Sequence, residues 1–196
     1  MSATAVPASQ VARIDTAAVS DALLGKWKAE RLESRRVASD PRFQTVPGMS
    51  MDEHRARVLE QLRGLVAEGA IQRAFPKDLG GSDNHGGNIA AFQELVFADP
   101  SLQIKSGVQW GLFAAAILHL GTRPHHEKWL PDALTLQLPG AFAMTEIGHG
   151  SDVASVGTTA TYDPATEEFV IHTPFRGAWK DYLGNAALHG QAAVVF

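Results

Sequence analysis

The stretch AFAMTEIGHGSDVASVGTTATYD, residues 141–163, decides how the chain is read. A short apolar run ends in Thr145-Glu146, three glycines (Gly148, Gly150, Gly157) follow, and an alternating strand-like segment comes next. A dinucleotide fingerprint needs G-x-G-x-x-G between a strand and a helix. Gly148 and Gly150 fit that spacing, but position 153 is valine and a strand, not a helix, is expected beyond it. No Walker A lysine pattern is present, and a nucleophile elbow would need glycine where His149 stands, two residues before Ser151. What remains is a turn that offers a side-chain hydroxyl and a row of backbone N–H groups, with glycines that let a ligand approach without a Cβ in the way. Such donors suit a flavin, whose N1/O2 edge becomes negative on reduction. The competing reading is an ordinary structural turn.

Outward from this turn the chain changes character. C-terminal to about Leu138, AFAMTE, GTTATYD, EFVIHT and AAVVF are short β-branched or aromatic runs, and YDPATEEF reads as a hairpin connection. N-terminal to it the period is helical. Residues 1–14 read as a loose leader, Asp15 as the cap of a short helix ended by Gly25, and KWKAERLESRRVAS as a charged helix broken by DPRF at 40–43. Ser50 and Glu53 have capping-box spacing, and Met51, Val58, Leu59, Leu62, Leu65 and Val66 form an apolar stripe, which predicts a helix over 51–68. A glycine-rich loop at 75–88 precedes a helix with Ile89, Phe92 and Val96 on one face. An apolar helix is expected over 101–120, and a short one around HHEKWLPDALT. The expected class is therefore α+β, with an all-helical unit over 1–137 and part of a β domain over 138–196. The last run reaches Phe196 without a turn, so the sheet is expected to be incomplete.

Composition narrows the function classes. The chain has 196 residues, 45% of them apolar, and that balance belongs to a folded protein. A net charge of −4, with no long run of either sign, argues against a generic nucleic-acid surface. Absence of cysteine excludes disulfides and thiolate chemistry. The N-terminus lacks a basic start followed by an apolar core, so no signal peptide is read, and the apolar run 111–118 is too short to span a bilayer. His119, His125 and His126 lie close together and His149 sits in the glycine turn, but a His-His pair beside Pro124 reads as a helix start, and no metal site is expected.

FAMTEIGHGSD (142–152) and TTATYDPATEEFVIHTP (158–174) resemble the acyl-CoA oxidase branch of the acyl-CoA dehydrogenase superfamily. MTE…G.GSD is shared with the dehydrogenases, while GHG and the long hairpin are similar to the oxidases. DPRF and FPKDLGG (75–81) match oxidase segments in order and spacing, so the resemblance covers residues 20–196. It implies an N-terminal helical domain followed by the first part of an antiparallel, barrel-like middle domain. It also implies FAD as cofactor and a fatty acyl-CoA as substrate. In the implied reaction a carboxylate takes the α-proton, the β-hydrogen leaves as hydride to the flavin, and O₂ reoxidises it to give hydrogen peroxide.

Carried over residue by residue, the flavin contacts fall on Phe142, Ala143, Met144 and Thr145, with Gly150 and Ser151 as a second contact and Gly184 as a later one. Around Gly184 this chain reads KDYLGN where many oxidases carry an aromatic pair, and an ordinary turn glycine is the alternative there. No glutamate in 1–196 matches the family's base, and Glu146 belongs to the flavin segment, so no catalytic residue is assigned and the piece alone is expected to be inactive. The resemblance further implies a homodimer, cytoplasmic in a bacterium and peroxisomal in a eukaryote. A dehydrogenase using a flavoprotein electron carrier and a non-catalytic binding or assembly fragment stand as alternatives.

Overall fold

A computed structural model describes residues 14–69 and 71–196; most of the leader expected over 1–14 lies outside the described residues. Seven α-helices precede the strands: α1 (Thr16–Leu24), α2 (Lys28–Ala38), α3 (Met51–Ala67), α4 (His85–Glu94), α5 (Pro100–Ser106), α6 (Ala115–Leu120) and α7 (Arg123–Leu134). Their ends obey local chemistry. Asp15 accepts from the amides of Ala17 and Ala18 at 3.0 Å, and Gly25 leaves α1 at φ +62°, a conformation glycine adopts without Cβ strain. The Ser50–Glu53 capping box forms as the spacing predicts, with Ser50 N donating to Glu53 at 2.8 Å.

The predicted stripe of α3 is buried at Val58, Leu62 and Leu65, but Met51, in its first turn, faces solvent. These side chains join Phe43, Phe75, Leu102, Phe113, Leu130 and Leu134 in one core. On α4 the face differs from the expectation. Ile89 and Val96 are exposed, and the residues facing α2 are Gly87, Ala90, Ala91 and Glu94. Small residues let the two helices approach closely enough for Ser34 Oγ to donate to Ala91 O at 2.7 Å. Glu94 receives Arg31 at 2.8 Å and Arg35 at 2.7 Å. Ile89 and Phe92 instead line an apolar cavity of about 370 Å³ with Val37, Leu65, Phe75 and Trp110.

The apolar helix expected over 101–120 runs through α5 and α6, with a π-helical segment, Gly107–Ala114, between them. This wider stretch, a form rare in globular proteins, carries the contacts between the helices and the first strand. Buried Gln109 donates to Ala133 O at 2.9 Å and Leu138 O at 3.1 Å and accepts from Gly140 N at 2.9 Å. Trp110 donates to Leu134 O, and Phe113 lies where a Cβ on Gly140 would sit, 2.1 Å from its ring.

Strands begin at Gly140. β1 (Gly140–Ala143) pairs in parallel with β4 (Ala192–Val195), Phe142 opposite Val194, while β2 (Thr159–Asp163) and β3 (Glu168–His172) form the expected antiparallel hairpin. Parallel neighbours need a long crossover, and here residues 144–191 supply it. Among the described residues the sheets stay two-stranded, with no closed barrel. In the hairpin, Tyr162 and Phe169 face each other with ring centroids 5.3 Å apart, on strands exposed along nearly all their length.

Candidate functional site: the turn after β1

Beyond Ala143 the chain runs beside residues 177–181. Asp181 N donates to Thr145 O at 3.3 Å, Ile147 N to Trp179 O at 3.0 Å, and Gly148 N to Gly177 O at 2.8 Å. The last contact requires glycine at 148, because an added Cβ would stand 2.8 Å from Gly177 O. Val153–Ser155 form a single 3₁₀ turn, which swings the chain back so that Gly157 and Thr158 return to Glu146.

Glu146 holds this turn together. Its side chain is wholly buried, and its two oxygens accept from Gly157 N (2.8 Å), Thr158 N (3.0 Å), Thr158 Oγ (2.5 Å), His149 Nε2 (3.0 Å) and Lys180 Nζ (3.0 Å). Burial opposes the charge, but the hydrogen bonds from Thr158, Gly157, Lys180 and His149 outweigh it and hold the carboxyl far below its ordinary range. A carboxylate so engaged has no free lone pair and no tendency to take a proton near neutrality, so Glu146 is a framework anion and not a base. Lys180 directs its remaining donors to Met144 O at 3.1 Å and Phe196 O at 2.7 Å, which ties the ends of β1 and β4 to the same point.

What the turn leaves free matters as much. Thr145 Oγ and the amides of Gly150 and Ser151 make no hydrogen bond among the described residues. Thr145 is half-buried, whereas Gly150 and Ser151 are exposed. Phe142 lies on β1 with its ring 4.6 Å from that of Phe196, Ala143 is buried opposite Val195, and Met144 is half-buried. Residues 142–145 and 150–151 thus belong to one turn region.

Gly184 stands elsewhere on the loop: a Cβ there would meet Val108 at 2.7 Å, and its neighbour Asn185 donates to Gly140 O at 2.9 Å, at the opposite end of β1 from Thr145. The loop 181–185 is thereby pinned at both ends of β1. Sequence reasoning named neither the Glu146–Lys180 pair nor Gln109 as organising groups. A glutamate set between an apolar strand and a glycine turn was the available signal, since such a position is buried and its charge needs partners.

Three histidines take structural partners, while His126 Nε2 is buried without one among the described residues. His125 Nδ1 receives Thr122 N at 3.1 Å in the cap of α7, His149 serves Glu146, and His54 lies 3.0 Å from Asp99. No group of three metal-ligating side chains assembles among the described residues.

A helical layer hands over, through one buried glutamine, to strands that carry a carboxylate-centred glycine turn. Residues 44–137 match the family described as acyl-CoA dehydrogenase, N-terminal domain. Over those residues the chain carries that domain, and its homologues are acyl-CoA oxidases. It is 42% identical over 158 residues to acyl-coenzyme A oxidase 2, peroxisomal, of Arabidopsis thaliana, covering 81% of this chain and 22% of that protein. Acyl-CoA oxidases 1 and 3 of Yarrowia lipolytica superpose with TM-scores of 0.72 and 0.70, each over 86% of this chain, at 26% and 30% identity. The chain spans about a fifth of the length of these relatives (22–24%).

Proposed function

We propose that the chain is the N-terminal part of an FAD-dependent acyl-CoA oxidase, with the flavin held at the turn after β1. The observation that carries this reading is the division of labour at the turn. Glu146 engages the donors around it, and Thr145 Oγ, Gly150 N and Ser151 N are left as unengaged donors on the accessible side. Such a donor-rich set suits an acceptor-rich, anionic cofactor. Bound FAD supplies the acceptor for the hydride that leaves the substrate's β-carbon.

The chain's own part is to bind and orient. Thr145 offers its hydroxyl to the reactive edge of the ring, and Phe142, Ala143 and Met144 form the apolar wall before it. Gly150 and Ser151 direct N–H groups at the pyrophosphate or nearby acyl-CoA atoms, and Gly184 lets the later loop approach. Lys180 and Glu146 fix the turn so that these donors meet the cofactor without reorganisation. The base that removes the α-proton is assigned to a part of the protein outside residues 1–196, because the one glutamate at the turn is fully engaged. We place the boundary between a helical domain and the flavin-binding β domain at 137/138, where the family match ends, shortly after α7. The proposed substrate is a fatty acyl-CoA, and the proposed assembly is a homodimer. The proposed location is the peroxisome in a eukaryotic source and the cytoplasm in a bacterial one.

The test is flavin retention and acyl-CoA-dependent peroxide release by the protein extended through its remaining domains. Residues 1–196 alone should release none. An extended protein that binds FAD but reduces only a flavoprotein carrier would replace the oxidase reading by the dehydrogenase one. One that stays colourless would leave a binding or assembly role.

A further inference from the structure

The apolar cavity of about 370 Å³ inside the helical layer takes no part in the turn after β1. Val37, Leu65, Phe75, Phe92 and Trp110 build its wall, with Gly107 and Gly111 of the π-helical segment between them. Polar groups of that wall already have partners. Ser34 Oγ donates to Ala91 O at 2.7 Å, Ser106 Oγ to Gln103 O at 2.8 Å and Trp110 Nε1 to Leu134 O at 3.3 Å, and Arg73 pairs with Glu33 at 2.7 Å. His85, Ile89 and His119 are exposed and mark the opening, with Asn88 half-buried beside them. An ordered water needs several polar partners, which the inner wall does not offer, so water there is poorly held and an apolar occupant displaces it at a gain. A charged occupant would lose its hydration without replacement.

Position narrows the occupant further. No lining residue belongs to β1 or to the turn 144–158. A ligand tethered at Thr145 would have to cross the layer that Gln109 and Phe113 close against Gly140. The cavity therefore suits a small free molecule, held on one side of the π-helical segment while β1 packs on the other.

We propose that this cavity takes up dioxygen, the small uncharged apolar molecule that an oxidase consumes. The choice of dioxygen rests on the oxidase reading of the chain; uptake of a small apolar molecule rests on the cavity alone. Dioxygen has neither charge nor dipole, so it gains from exchanging water for an apolar wall. Held there, it is stored one helix away from the strand that leads into the turn.

The test is titration of residues 1–196 with xenon, an uncharged probe that dry apolar cavities bind, followed by NMR. Gly111→Leu serves as the filled variant, because a Cβ at Gly111 meets nothing within 4 Å. Expected are saturable shifts of the Trp110 and Ile89 resonances that exposed Leu23 on α1 does not share, with affinity about tenfold or more weaker in the variant. In the protein extended through its remaining domains, the same substitution should slow reoxidation of the reduced flavin by O₂ several-fold and leave its reduction by acyl-CoA unchanged. If Gly111→Leu unfolds, Ala115→Leu, from the same wall, replaces it. Absence of the xenon shifts, or equal affinity in the folded variant, overturns the proposal. Xenon uptake with reoxidation unaltered by filling overturns it too. A reduced flavin that O₂ does not reoxidise sinks the oxidase reading and the dioxygen assignment with it, whatever xenon reports of the cavity.

Discussion

At Glu146 a carboxylate removed from water accepts from two amides, a hydroxyl, an imidazole and an ammonium, and the turn exists because those donors must converge on it. Its folded-state pKa is depressed, so its contribution to stability is fully present above the unfolded value of 4.5 and decays as pH falls below that. The Gly157 and Thr158 amide resonances should accordingly stay constant from pH 7 down to the ordinary carboxylate range and move only in more acidic solution. Lys180→Met strands the buried anion, and urea unfolding should show a loss of about 3–5 kcal/mol. Thr145→Val should leave that unfolding curve within about 1 kcal/mol of the parent, since the hydroxyl has no partner among the described residues, while weakening FAD retention if the turn is the flavin site. The motif put Thr145, Gly150 and Ser151 in one turn. It did not announce Lys180 as the partner, because 34 residues separate it from Glu146 and only folding brings them together.

Among the elements, the π-helical segment joins helices to strands. Gln109 satisfies Gly140 N and the carbonyls of Ala133 and Leu138, all at a junction where no regular ladder can reach them. Replacing it by leucine leaves those groups buried and unpaired and should cost about 1–3 kcal/mol per orphaned group, with Gly140 amide exchange accelerated first. Gly111 on the same segment gives the contrast. A Cβ there meets nothing within 4 Å, so Gly111→Ala should stabilise by about 0.5–1 kcal/mol in thermal unfolding. Helix positions were legible because periodicity and caps are local: the Ser50–Glu53 box and the Asp15 cap stand where the residues put them. The packed face of α4 was not. Apolar Ile89 looked like core, but Gly87, Ala90 and Ala91 are smaller and allow α2 to approach, and Arg31 and Arg35 neutralise Glu94 inside that contact.

For the molecule as a whole, a well-packed helical core carries two thin sheets, one of them a hairpin exposed on both faces with Phe169, Val170 and Ile171 in solvent. Exposure of that kind is costly in water. An extended protein that covers the hairpin should therefore protect the β2–β3 amides from exchange more strongly than residues 1–196 alone, a comparison hydrogen exchange can make directly. By itself the sequence determined the order of helices and strands, the capped helix ends, the β2–β3 hairpin and the glycine turn, since each depends on residues a few positions apart. The tertiary structure alone decided the parallel pairing of β1 with β4 and the closure of the turn by Lys180. It also decided the junction at Gln109. Each of these joins residues far apart in the chain, and partners at that separation are selected by burial and charge in the assembled core, which no local pattern encodes.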